Sequence, residues 1–222
     1  DQSARKLTTV DAEVGGATFS SLNLITREKN VSYLWGENDL FVLDHTRNNI
    51  RVLHSFADSI GVIAAATKGQ GEDIWIGTSV GLYRFHPENN KFHRFTSQTA
   101  PVQNIFTLSD GDTWLFQSDG RLLRITPDEQ AMACRQILGS SHGVRRVISL
   151  VQDKEIIWII SDKGIYKYSK ENSKLTLALS TRKHFHSFRK YANKFIIGAD
   201  NGQLYIYDPR KDDYSIMKFN TS

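Results

Sequence analysis

Apolar side chains recur along the chain in short alternating runs broken by turn residues. The stretch "DIWIGTSVGLYRFHPENNKFHRF", Asp73 to Phe95, shows the pattern most clearly. Apolar residues alternate through Ile74 and Ile76, and again through Leu82 and Phe85. Breaks fall at Ser79–Gly81, with its glycine, and at His86–Asn90, with its proline. A period of two bounded by Gly, Pro and Asn predicts short β-strands joined by tight turns. Three such strands fit in this stretch, and none is long enough to bury a face alone.

The pattern repeats. Trp75 in "DIWIGTSVGLYRF" has counterparts in Trp35 of "YLWGENDLFVL", Trp114 of "DTWLFQSDGRLLRI" and Trp158 of "IIWIISDKGIYKY". Ile196 takes that place in a fifth copy, "KFIIGADNGQLYIY". Successive anchors lie 40, 39, 44 and 38 residues apart, and a glycine follows six residues later in four copies: Gly81, Gly120, Gly164 and Gly202. The first copy lacks it, and Asn38-Asp39 supply the turn chemistry there. Every copy reads as four strands. In the second they are "VIAAAT", "DIWIGT", "LYRF" and "KFHRFT", an antiparallel meander.

A four-stranded unit near forty residues predicts propeller blades. One small sheet has two faces to cover, and radial packing of blades covers both. The expected fold is all-β: a β-propeller of about five four-stranded antiparallel blades, either a closed ring or a segment of a larger one. A two-layer sandwich is the alternative, but it has no need of a tryptophan at constant phase. The approximate blades are 18–57, 58–97, 98–140, 141–182 and 183–222, after a lead-in at 1–17. "RKLTTV", Arg5–Val10, reads as a fourth strand of a preceding or closing blade, or as part of that lead-in. "YSIMKF", Tyr214–Phe219, reads as the fourth strand of the last blade.

Composition narrows the class. The 222 residues are 40% hydrophobic and 11% aromatic, enough for a packed core. No apolar run approaches the ~18 residues of a membrane span, and "DQSARK" has no signal-peptide core behind it. A single cysteine, Cys134, excludes an intrachain disulfide and a cysteine-based zinc site. The net charge of +4 is uneven. Residues 1–110 carry 10 basic and 12 acidic residues, a net of −2, whereas 111–222 carry 18 and 12, a net of +6. That tilt favours an anionic partner, but the basic pairs Arg145-Arg146, Arg182-Lys183, Arg189-Lys190 and Arg210-Lys211 are scattered. They read as solvated surface, with no nucleic-acid patch.

No tryptophan is followed by aspartate, as a WD repeat requires, and the Gly-Gly pair of a kelch repeat occurs only at Gly15-Gly16, outside the repeats. The second copy resembles the two-component regulator propeller repeat through Trp75, Ile76, Gly77, Thr78, Gly81, Leu82, Tyr83 and Pro87. Partial matches are Trp114, Gly120, Leu122 and Pro127; Trp158, Gly164, Ile165 and Tyr166; and Gly198, Gly202, Leu204, Tyr205 and Pro209. The resemblance spans roughly residues 18–219. It implies a periplasmic sensor region of a hybrid two-component system, of a kind abundant in gut Bacteroidetes and typically responsive to oligosaccharides. It further implies a piece of an inner-membrane protein's ectodomain, working with other domains of the same protein and able to pair as a homodimer. Neither nucleic acid nor membrane insertion of this segment is expected.

The search for chemistry returns little. There is no H-E-x-x-H, G-x-S-x-G, P-loop or G-x-G-x-x-G, and no metal or cofactor is called for. His184 and His186 alternate, so on a regular strand they share a face, but no acidic or cysteine partner is near in sequence. Asp39, Asp119, Asp162 and Asp200 fall at equivalent turns, which favours turn chemistry over catalysis. A binding site is expected where loops converge. Turns between second and third strands bring Glu37, Asn38, Asp39, Gln117, Asp119, Asp162, Lys163, Asp200 and Asn201. Links between blades bring Ser97, Gln98, His142, Arg145, His184 and His186. The leading expectation is a non-enzymatic sensor propeller binding glycan-derived oligosaccharides. A generic protein-interaction propeller is the alternative, and a propeller glycosidase the third.

Overall fold

The computed structural model describes residues 11–13, 22–55, 61–69, 71–89, 91–95, 100–127 and 132–218. It is an all-β structure of five sheets. The first contains β1 (Asp11–Glu13), β2 (Asn23–Arg27), β3 (Val31–Trp35), β4 (Asp39–Asp44) and β5 (Asn49–Ser55); the second contains β6 (Ile63–Lys68), β7 (Ile74–Thr78), β8 (Gly81–His86) and β9 (Lys91–Arg94). The third contains β10 (Val102–Thr107), β11 (Thr113–Gln117), β12 (Leu122–Pro127) and β13 (Met132–Leu138). The fourth contains β14 (Val147–Asp153), β15 (Ile156–Ser161), β16 (Gly164–Ser169) and β17 (Leu175–Ser180). The fifth contains β18 (Phe185–Tyr191), β19 (Lys194–Ala199), β20 (Gln203–Asp208) and β21 (Asp213–Lys218). Sheets two to five are four-stranded meanders in chain order, as the repeat predicts. The first departs from it: β1 joins the outer strand β5 in parallel, making a five-stranded sheet. The expected strand at Arg5–Val10 lies outside the described residues.

The chain divides into two compact units, residues 1–105 and 106–222. In the first, Ile63, Ile74, Ile76, Tyr83 and Phe85 of the second sheet pack with Leu40, Tyr33 and Trp35 of the first. In the second unit the period of two splits the strands of the fourth sheet between two clusters. Trp114 and Phe116 meet Ile157, Ile159, Tyr166 and Tyr168 of the fourth sheet. Trp158 and Ile160, on that sheet's other face, meet Phe195, Ile197, Tyr205 and Tyr207 of the fifth. Trp114 and Trp158 are thus part of the layer between sheets. Trp114 is fully buried, with its ring edge-on to Tyr168 at 5.6 Å. Burying an indole contributes roughly 4–6 kcal/mol before entropy is counted. Lys167 lies 5.6 Å from the Trp158 ring, its stem capping the indole.

Strand register corrects one anchor. Trp75, Trp114 and Trp158 pair with Arg84, Arg124 and Lys167. In the first sheet the hairpin closes at Gly36 and Asp39, and the residue in the equivalent position is Tyr33, paired with Val42. Trp35 stands two residues further on, where the second sheet has Gly77. Aligning tryptophans across copies therefore shifted the first copy by one period of alternation, which keeps the same face and so left the hydrophobic pattern intact.

Glycine spacing hides a second difference. Gly81 and Gly164 pair across their hairpins with Thr78 and Ser161, closing two-residue loops. Gly120 and Gly202 instead sit inside three-residue loops. Gly164 has φ +151°, and a Cβ there would collide with the Leu179 carbonyl oxygen, so the backbones of β16 and β17 meet only if no side chain intervenes.

Candidate functional site

The turns between second and third strands and the links between sheets meet at the same end of each sheet. A backbone rule joins them. In the second, fourth and fifth sheets the residue before the first strand offers its carbonyl to the first residue of the same sheet's hairpin loop: Val62 to Ser79 at 3.0 Å, Arg146 to Asp162 at 3.0 Å, and His184 to Asp200 at 3.1 Å. The loop in turn reaches the next sheet: Ile63 N–H donates to the Glu37 carbonyl at 2.9 Å, and Phe185 N–H to the Asp162 carbonyl at 3.2 Å. Sequence-remote loops are thereby placed side by side, within each unit.

In the second unit the hub is Asp162. It is 7% exposed, and its Oδ1 accepts the backbone N–H groups of Arg145 at 3.1 Å and Arg146 at 3.2 Å. Its Oδ2 lies 3.9 Å from His184 Nδ1. The following residue, Lys163, offers its carbonyl to Thr181 N–H at 3.5 Å. His142 closes the 3-10 turn Ser140–His142, its Nδ1 3.2 Å from the Gly139 N–H, and its ring meets Tyr166 edge-on at 5.9 Å. Burial first, and then the neighbouring Asp162 charge, push the Tyr166 hydroxyl above its ordinary pKa. Asp162, Lys163, Arg145, His142 and His184 therefore share one loop cluster. His184 lies just before β18, and His186 is the extra residue of a β-bulge between Phe185 and Ser187, so the simple alternation that put both on one face does not apply. No group of three or more His, Cys, Asp or Glu able to hold a metal occurs among the described residues.

The remaining candidates are dispersed. In the third sheet Gln117 is fully buried, whereas Asp119 is exposed and bound to Arg121, accepting its N–H at 3.1 Å and its Nε at 2.7 Å. Asp200 and Asn201 lie in a 3-10 turn, Asp200–Gly202. Glu37, Asn38 and Asp39 belong to the first unit, where Glu37 is exposed. Ser97 and Gln98 lie outside the described residues. Asp119 and Asp162 thus both spend a carboxylate oxygen holding loop backbone, the turn role their phasing suggested.

Sequence reasoning missed three cations that the loop network adds to the cluster: Arg146, Arg182 and Lys183. Their signal was the doublets Arg145-Arg146 and Arg182-Lys183. It also missed both features at the opposite sheet end. In the second unit, Lys170 bridges Asp110 and Asp112, reaching the latter at 2.7 Å; Arg124 meets Asp112 at 2.9 Å, and Gln152 Nε2 donates to Asp110 at 2.5 Å. In the first unit a cleft of about 320 Å³ is lined by Glu72, Asp73, His86, Glu88 and Asn89, with Asp73 2.5 Å from His86 Nδ1. An aspartate–histidine pair can orient a base, but among the described residues no hydroxyl or thiol side chain lines this cleft.

No protein-family model matches the chain, and no curated protein matches it. Solved structures do. An extracellular domain ascribed to the hybrid two-component system BT4673 of B. thetaiotaomicron superposes with a TM-score of 0.70 at 18% identity, over 89% of this chain and 27% of that one. The chain thus spans about a quarter of that ectodomain's length. The computationally designed protein Ika8 gives 0.70 at 12% identity over 94% of this chain and 65% of its own, and a streptogramin B lyase 0.66 at 12% over 90% and 68%. An ectodomain, a design and a lyase share little but architecture, and what these likenesses establish for this chain is its fold, the blades of a β-propeller.

Proposed function

We propose that the chain is a non-enzymatic, ligand-binding propeller segment from the extracytoplasmic part of a hybrid two-component signalling protein, and that it responds to glycan-derived oligosaccharides. The observation that carries this reading is the combination of the Trp-Ile-Gly-Thr blade motif at Trp75–Thr78 with the likeness to the BT4673 ectodomain. The site is the loop cluster around Asp162, where polar side chains stand on a main-chain frame. A periplasmic location and signalling through other domains of the same protein follow from that reading. The carboxylates support binding over hydrolysis: Asp119 and Asp162 are held as turn acceptors, away from the opposed acid pair that glycoside cleavage uses.

The test is calorimetric titration of the chain with an oligosaccharide panel. Saturable binding to at least one glycan, weakened by Lys163→Ala and His184→Ala, is expected. Failure of every glycan on the panel would refute the reading, as would turnover of a chromogenic glycoside abolished by Asp119→Ala.

A further inference from the structure

We infer that the loop cluster of residues 106–222 selects an anionic saccharide, one bearing uronate or sulfate groups, through Arg145, Arg146, Lys163, Arg182 and Lys183. The inference rests on the sensing reading and adds the ligand's charge to it.

Three chain segments converge at Asp162 through the hydrogen bonds described above. They bring the main chain of five cationic residues to one end of the sheets: Arg145 and Arg146 from one link, Lys163 from the hairpin loop, and Arg182 and Lys183 from the next link. Arg145, Arg146 and Arg182 are exposed and the two lysines half-buried. The carboxylate these segments contain is Asp162, which is buried and already accepts two backbone N–H groups. Among the described residues, the ion pairs of this unit join Arg121 to Asp119, Arg124 to Asp112, Lys170 to Asp110 and Asp112, and His184 to Asp162. None uses the five cations.

At the opposite sheet end Asp110 and Asp112 neutralise Arg124 and Lys170. The five loop-end cations form no ion pair among the described residues, and the exposed Asp200 stands at the same end, its N–H bonded to the His184 carbonyl. Guanidinium groups bind carboxylate and sulfate through paired N–H donors, so two adjacent arginines suit an acidic sugar. The Tyr166 and Phe185 rings at the cluster are buried, so neither offers a platform on which nucleobases could stack. The link residues carry no exposed apolar side chain for a lipid surface.

The test titrates the full chain with a sulfated, uronate-containing hexasaccharide and with its desulfated, carboxyl-reduced neutral counterpart. The anionic form should bind at least about tenfold more tightly, and its affinity should fall about tenfold between roughly 50 and 300 mM salt as screening shortens the field of the patch. Arg145→Glu/Arg146→Glu and Lys163→Glu should each weaken it about tenfold or more, with unchanged circular dichroism. Lys190→Glu, on β18 near the opposite end, should change it less than about twofold. Equal binding of the neutral sugar, insensitive to these variants, overturns the charge inference and leaves the sensing reading standing. Binding of neither sugar overturns the charge inference, and the wider panel then decides the sensing reading separately. A DNA duplex of matched charge that binds as tightly, with the same variant sensitivity, overturns the inference in favour of a nucleic-acid surface.

Discussion

Replacing Asp162 by alanine removes the acceptor on which the loop cluster is assembled. Two backbone N–H groups lose a carboxylate at 3.1 and 3.2 Å. A hydrogen bond to a charged group contributes about 1.5–3 kcal/mol, so the pair is worth at most about 3–6 kcal/mol. The donors belong to exposed residues, Arg145 and Arg146, and water can reach them once the carboxylate is gone. That exposure brings the expected loss down to about 2–3 kcal/mol. Asparagine keeps a neutral acceptor in the same place and should cost only about 1 kcal/mol. Urea unfolding followed by tryptophan fluorescence measures both: with a slope of about 1–3 kcal/mol/M, alanine should move the midpoint by roughly 1–2 M at unchanged slope. Hydrogen exchange supplies the local readout, since the Arg145 and Arg146 amides should lose protection in the alanine variant before the core strands do. A loss below about 0.5 kcal/mol, or asparagine as damaging as alanine, would refute Asp162 as the organising acceptor.

Other predictions address the frame. Gly164→Ala should destabilise by about 3 kcal/mol or more because its Cβ meets the Leu179 carbonyl, whereas Gly202→Ala, at φ +66° with nothing within 4 Å, should cost only about 1 kcal/mol in the same unfolding assay. Trp114→Ala empties a fully buried site and should cost about 3–5 kcal/mol by thermal or urea unfolding. Burial alone would raise the Asp110 pKa, but hydrogen bonds from Lys170, the Asp112 N–H and Gln152 outweigh it and hold the pKa below its ordinary value. A carboxylate depressed in the folded state stabilises above its unfolded pKa and loses that contribution as pH falls through the folded value. Stability measured from pH 6 down to pH 2 should therefore fall more steeply in the parent than in Asp110→Asn; parallel curves would show that the cluster contributes nothing.

The blades were legible because two periods coincide in the sequence: alternation within a strand and a large aromatic once per unit. Trp75, Trp114 and Trp158 carry both, and Trp114 and Trp158 sit where packing between sheets needs them. Trp35 misled because a shift of two residues preserves the face, so hydrophobicity cannot report the slip; hairpin register alone does. Gly81 and Gly120 share one spacing from their tryptophans yet close loops of different length, since adding a loop residue and moving the glycine inside it leave the count unchanged. The β-bulge at the start of β18 left no compositional trace, and it removed the His184–His186 alternation. The Asp110–Lys170 bridge joins residues sixty positions apart, and only the tertiary fold brings them together. The loop site was half legible. Its polar residues were found by topology, but the cationic partners of Lys163 were set aside as surface because nothing in the sequence shows three segments meeting at one buried carboxylate.

The loops are fastened to one another mostly by peptide groups: Val62, Arg146 and His184 give carbonyls, and Ile63 and Phe185 give N–H groups. Every residue type but proline supplies both groups, so the identity of a loop side chain has little say in whether neighbouring sheets join. Assembly thereby rests on the main chain and leaves the side chains of the same residues uncommitted. Loop side chains can therefore be exchanged with little loss of the scaffold, and Asp162 marks the exception where a side chain has been drafted into the frame.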